Sequence, residues 1–138
     1  MSLSRDNVIE IEAVSKSYVS EGREIKVLED ISFIVSREFV SIIGPSGCGK
    51  STLLRIIAGV EKPNSGKVVF HLDRKPVIGF VFQFPTLLPW MTVENNVALP
   101  LIANGVQKSR AIEKARTALK IVGLGGFEDF TRVSLVVE

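Results

Sequence analysis

Gly44-Pro45-Ser46-Gly47-Cys48-Gly49-Lys50-Ser51-Thr52 has the form of a phosphate-binding loop, and its neighbours suit that role. Phe39, Val40, Ile42 and Ile43 before it read as a buried strand. Leu53, Leu54, Ile56, Ile57 and Ala58 after it read as the apolar side of a helix running from Gly49 to Ala58 and stopping at Gly59. Strand, glycine-rich turn and helix is the context in which such a loop has a mechanism. Small residues let the backbone wrap closely around phosphates, and successive amide N–H groups point at them. Lys50 adds a mobile positive charge for the outer phosphates, and the Ser51 hydroxyl suits Mg²⁺. A fortuitous glycine-rich turn of this form is rare in a chain this short.

The rest of the chain sets bounds. Its 138 residues fit one domain, and 46% hydrophobic with 23% charged residues reads as globular. The net charge of +2 is dispersed and carries no basic patch with interleaved aromatics, so nucleic acid is not an expected partner. A single cysteine gives no disulfide framework and suits the cytoplasm. The first residues lack a hydrophobic export segment, and no run reaches the roughly 18 apolar residues of a membrane span.

Period-2 patterning predicts strands at Val8–Val14 and Val27–Val35, Lys67–Leu72 reads as another and Val77–Phe82 as a further apolar strand interrupted by Gly79, with Ser15–Lys26 as a turn and Pro63-Asn64-Ser65-Gly66 as another. Pro85, Pro89 and Pro100 divide an irregular apolar region whose middle, Thr92–Leu99, is expected to be a short helix capped by Thr92. Gln107–Val122 has helical spacing, with Ala111, Ala115, Ala118 and Val122 on one side, joined by Ile112 and Leu119.

Several side chains have two local readings. Tyr18, in the turn after the first strand, is either a platform for a nucleotide base or a partly buried loop aromatic. Gln83, at a strand end, either reaches a bound ligand or is an ordinary loop residue. Leu87, Leu88, Trp90, Met91 and Val93 form either a buried loop or a docking surface. His71 has no metal-ligand constellation and reads as a strand surface residue, while Cys48 sits inside the phosphate loop near a helix N-terminus.

Taken together, these residues resemble the ATP-binding subunit of an ABC transporter, in the branch energising nitrate, sulfonate and taurine import. The resemblance runs from about Val8 to Asp129. It implies an α/β phosphate-loop NTPase fold, the N-terminal part of such a nucleotide-binding domain with a small antiparallel β portion. It implies ATP and Mg²⁺ as ligands: Tyr18 stacks on adenine, Gly44, Pro45, Ser46, Gly47, Cys48, Gly49, Lys50, Ser51 and Thr52 bind phosphate, Ser51 holds Mg²⁺, and Gln83 senses Mg²⁺ and the attacking water. It also implies permease subunits docking near Leu87–Val93, a homodimer, and a cytoplasmic position at the inner face of the membrane held through the permease.

Arg37 stands where the family usually has glycine, and the stretch between Gly66 and Gln83 is shorter than usual. Four elements of a full subunit are not found: the Leu-Ser-Gly-Gly signature, an acidic Mg²⁺-site strand end, a catalytic glutamate and a switch histidine. Phe130–Glu138 diverges from the family, yet one allowed coding of it, read in an offset frame, gives Tyr-Pro-Arg-Glu-Leu-Ser-Gly-Gly-Met, the expected continuation. The expectation is therefore a partial domain, truncated by a single-base loss, that binds ATP weakly without hydrolysing it and tends to aggregate through open strand edges. A non-catalytic nucleotide-binding or regulatory module is the alternative. Another phosphate-loop enzyme, such as a small kinase or GTPase, would need acceptor or base-specificity residues that the chain does not display.

Overall fold

The computed structural model describes residues 7–74 and 76–131. The chain forms two compact units, one up to Val81 and one from Phe82.

The first unit is built on a hairpin. β1 (Asn7–Ser20) and β2 (Arg23–Ser36) pair antiparallel, with Ser20 opposite Arg23, Tyr18 opposite Ile25 and Ile11 opposite Phe33. Glu21 and Gly22 close it with φ of 52° and 74°. Two successive positive φ values match the right-handed twist of the flanking strands. The predicted turn Ser15–Lys26 thus shrinks to two residues, and both strands run further than their apolar alternation indicated. The polar run Ser15-Lys16-Ser17 resembles a turn, but cross-strand pairing holds it in the ladder.

Register slips in β1 between Ile11 and Val14, and Ala13 and Asp30 take φ of 47° and 51°. Such irregularities remove backbone N–H groups from the ladder. Here serine hydroxyls take their place: Ala13 N–H donates to Ser32 Oγ at 2.9 Å and Asp30 N–H to Ser15 Oγ at 3.0 Å. β3 (Ser65–Phe70) pairs antiparallel with the other edge of β1, giving the order β2-β1-β3. Gly66 crosses the irregularity so closely that a Cβ there would lie 2.3 Å from the Ala13 carbonyl oxygen.

α1 (Lys50–Ile57) packs on this sheet through Leu53 and Ile56, which share a core with Ile11, Val14 and Leu28. Ile11 and Val14 are 1% and 0% exposed. Burying side chains of this size is worth about 1.5–3 kcal/mol each, so these two anchor the hairpin beneath the helix.

Two predicted strands are corrected. Phe39–Ile43 and Val77–Phe82 adopt no regular secondary structure and belong to no strand of the sheet. Phe39 and Ile43 are 93% and 92% exposed. An apolar run supplies a strand's side chains, but the strand exists only once its N–H and C=O groups join a neighbour's ladder. Among the described residues every named ladder is antiparallel and confined to β1–β3.

In the second unit, α2 (Val93–Ala103) packs against α3 (Lys108–Ile121). Ala98, Ala111 and Ala115 are fully buried between them, flanked by Leu101, Ile102, Val106 and Ile112. The α3 face is Ala111, Ala115 and Leu119, an i, i+4 stripe. Ala118 and Val122, expected on that face, are exposed. Pro100 does not divide this region: α2 runs through it to Ala103, and Asn104 Nδ2 donates to the Pro100 carbonyl at 2.8 Å. Arg132–Glu138, most of the divergent tail, lies outside the described residues.

Candidate functional site

Gly49 decides the shape of the loop. Its φ of 94° lies in the left-handed region, and a Cβ there would sit 2.7 Å from the Val27 carbonyl oxygen and 2.8 Å from Leu28 Cδ2. Only glycine lets α1 begin this close to β2. Gly49 occupies the N-cap position, where it has no side chain to offer the helix, and the first turn contains no acidic residue. The first amides of α1 therefore have no side-chain cap. Unpaired N–H groups and the positive end of a helix dipole favour an anion.

The Lys50 side chain folds back onto the loop. Its ammonium donates to the Gly44 carbonyl at 2.9 Å and the Pro45 carbonyl at 2.6 Å, and stands 3.6 Å from Cys48 Sγ. The loop's own oxygens thus hold the ammonium in place. Gly44, Pro45, Ser46, Gly47, Cys48 and Ser51 are exposed. Thr52 differs: it is buried, and its Oγ1 accepts a bond from Arg55 Nη2 at 3.3 Å.

The donor set fits a nucleotide polyphosphate. It combines helix amides without a side-chain cap, the Lys50 ammonium and an exposed hydroxyl at Ser51, a ligand type that suits a hard cation. Among the described residues no cluster of His, Cys, Asp and Glu forms a metal site by itself. A cation here would accompany the phosphates.

Tyr18 is a strand residue, not the turn residue expected. It lies in β1, three positions before the turn, pairs with Ile25 of β2 and is 37% exposed. Its hydroxyl donates to Glu61 Oε1 at 2.5 Å, and Lys16 Nζ lies over the ring, 5.2 Å from its centre. Lys16 also pairs with Glu61 Oε1 at 3.2 Å, and Arg55 Nε, on α1, with Glu61 Oε2 at 3.1 Å. Burial pushes the Glu61 carboxyl up, but the Tyr18 and Lys16 hydrogen bonds and the Lys16 and Arg55 charges outweigh it and hold it below the usual carboxylate range. Nothing local in the sequence pointed to Glu61. Its phenolic partner is 43 residues away, and only the packing of α1 beside the hairpin unites them.

Gln83 is exposed and belongs to the second unit. So does Leu87–Val93, where Trp90 is 75% exposed and Leu87 44%. Asn96 organises this segment. Its Oδ1 accepts from Leu88 N–H at 2.8 Å, and its Nδ2 donates to the carbonyls of Leu88, Met91 and Thr92 at 3.1–3.2 Å. His71 meets the surface expectation, with Nε2 2.8 Å from Glu10 Oε2. No helix among the described residues is long and apolar enough to cross a membrane.

Comparison with known proteins places this geometry. A family profile described as ABC transporter matches residues 28–134. An uncharacterized ABC transporter ATP-binding protein of Methanocaldococcus jannaschii is 44% identical over 128 residues, covering 88% of this chain and 47% of that protein. An aliphatic sulfonates import ATP-binding protein of Bacillus cereus is 42% identical, covering 87% of this chain and 49% of that one. A taurine import ATP-binding protein of Pseudomonas aeruginosa is 40% identical, covering 82% and 45%. The chain thus spans about half the length of the curated relatives it matches. Among solved structures, a dimeric post-hydrolysis ATP-binding cassette bound to ADP and Pi superposes with a TM-score of 0.80 at 32% identity, covering 92% of this chain and 62% of that one. The α/β phosphate-loop fold that the resemblance implies is that of this cassette.

Proposed function

Because the chain belongs to the ABC transporter ATP-binding family, we propose that its loop Gly44–Ser51 grips the triphosphate of Mg²⁺–ATP in the service of solute import. The observation that carries this is the uncapped start of α1 beneath Lys50. The α1 amides and Lys50 bind the phosphates, Ser51 meets Mg²⁺ and Tyr18 stacks on the base, while the Mg²⁺- and water-sensing role of Gln83 rests on its sequence resemblance alone. Thr52, being buried, supports the loop from beneath.

The wider assembly follows the relatives. Proteins named for sulfonate and taurine import match this chain at 40–42% identity, which favours a sulfonate-type solute over an unrelated one. A solved relative is dimeric, which supports pairing of two such subunits. The exposed Leu87 and Trp90 offer the apolar contact for a permease, and through it a position at the inner membrane face.

Calorimetric titration with Mg²⁺–ATP tests the core of the proposal. The chain is expected to bind, and Lys50→Ala to weaken binding by at least about tenfold, since hydrogen bonds to charged groups are worth about 1.5–3 kcal/mol. Equal affinity for both would remove the phosphate loop from the site.

A further inference from the structure

Glu61 lies outside the loop, yet it touches the two elements a nucleotide would span. Oε1 accepts from the Tyr18 hydroxyl at 2.5 Å, and Oε2 pairs with Arg55 of α1 at 3.1 Å. Lys16 completes the arrangement. It pairs with Glu61 Oε1, donates to the Lys62 carbonyl at 2.8 Å and covers the Tyr18 ring. The Glu61 side chain is 19% exposed, so these contacts are only lightly screened. The ring of Tyr18 is thereby held at its tip by a carboxylate and over its ring by a cation.

We propose that Glu61 is a positioning residue for the nucleotide base: it fixes the Tyr18 ring and, through Arg55, ties that platform to the helix that begins at the phosphate loop. This role rests on the reading of Tyr18 as the base platform. An exposed tyrosine without Glu61 turns about its χ angles and must be immobilised when a base stacks on it. Ordering one such side chain weakens binding by about three- to tenfold. A ligand without a base has nothing to lose. Glu61 therefore acts on ATP and not on inorganic tripolyphosphate.

The experiment titrates the full chain with Mg²⁺–ATP and Mg²⁺–tripolyphosphate, comparing Tyr18→Ala, Tyr18→Phe, Glu61→Ala and the double variant Tyr18→Phe/Glu61→Ala. Tyr18→Phe keeps the ring and removes only the hydroxyl of a partly exposed residue, so it separates positioning from folding. Tyr18→Phe and Glu61→Ala are each expected to lower ATP affinity by about three- to tenfold while changing tripolyphosphate affinity by less than about twofold. The double variant is expected to be no weaker for ATP than Glu61→Ala alone. Unchanged ATP affinity in Tyr18→Phe and Glu61→Ala, or an equal loss for both ligands, overturns the role of Glu61 while leaving Tyr18 in place. A Tyr18→Ala variant that still prefers ATP over tripolyphosphate overturns the base platform itself. Absence of ATP binding by the unsubstituted chain overturns both.

Discussion

Helices α1 and α2 begin in opposite ways. At α2, Thr92 Oγ1 accepts from Asn95 N–H at 3.3 Å, and carbonyls of Phe130 and Glu128 accept from Val93 and Glu94 N–H at 2.8 and 3.0 Å. Glu94 adds a negative charge to that first turn, and Arg116 Nε binds it at 2.7 Å. Every feature that stabilises a helix start is present. At α1 the same positions hold Gly49, Lys50 and Ser51, with no side-chain cap and no acid. A closed start is a structural joint. An open one, on a helix otherwise well packed through Leu53 and Ile56, forgoes that stabilisation and leaves room for an anion.

The contrast is broken most severely at Gly49. Gly49→Ala forces a Cβ against the Val27 carbonyl at 2.7 Å in a backbone conformation that alone costs a non-glycine residue about 1–3 kcal/mol. Urea unfolding is expected to show a loss of about 3 kcal/mol, together with loss of ATP binding. An unchanged midpoint would mean that the close approach of α1 to β2 is not required. Ser51→Asp sharpens the contrast by giving α1 what α2 has. The new carboxylate should stabilise the helix by about 0.3–1 kcal/mol and lower ATP affinity at least about tenfold, since it competes with phosphate for the same amides. ATP affinity retained alongside that carboxylate would show that the start of α1 is not where phosphate sits. The smallest effect is expected at Thr92→Ala, about 1 kcal/mol of stability with ATP affinity unaltered. A coupled loss of ATP binding there would blur the distinction between the two helix starts.

Local chemistry was legible in the sequence wherever neighbours in the chain decide it. The spacing of Gly44, Gly49, Lys50 and Ser51 announced the loop, and Thr92 announced the start of α2, because both depend on backbone geometry within a few residues. Phe39–Ile43 and Val77–Phe82 were misread because a ladder needs a partner that an apolar run does not name. Glu61 and Asn96 escaped notice for a related reason. An acid shortly before the Pro63 turn and an asparagine inside a helix look ordinary until the fold places Tyr18 or Leu88 beside them. The Ala118 and Val122 expectation erred by only a fraction of a turn, but on a helix that is enough to exchange buried for exposed.

The four hydrogen bonds of the Asn96 amide have a consequence for recognition. They bind the backbone from Leu88 to Thr92 to a residue within α2, so Trp90 is displayed from a mount that is already rigid. Most loops surrender conformational freedom when they meet a partner, and that loss subtracts from affinity. Here much of the ordering is complete beforehand, so any partner that closes on this indole would find it already held on a short, braced pedestal.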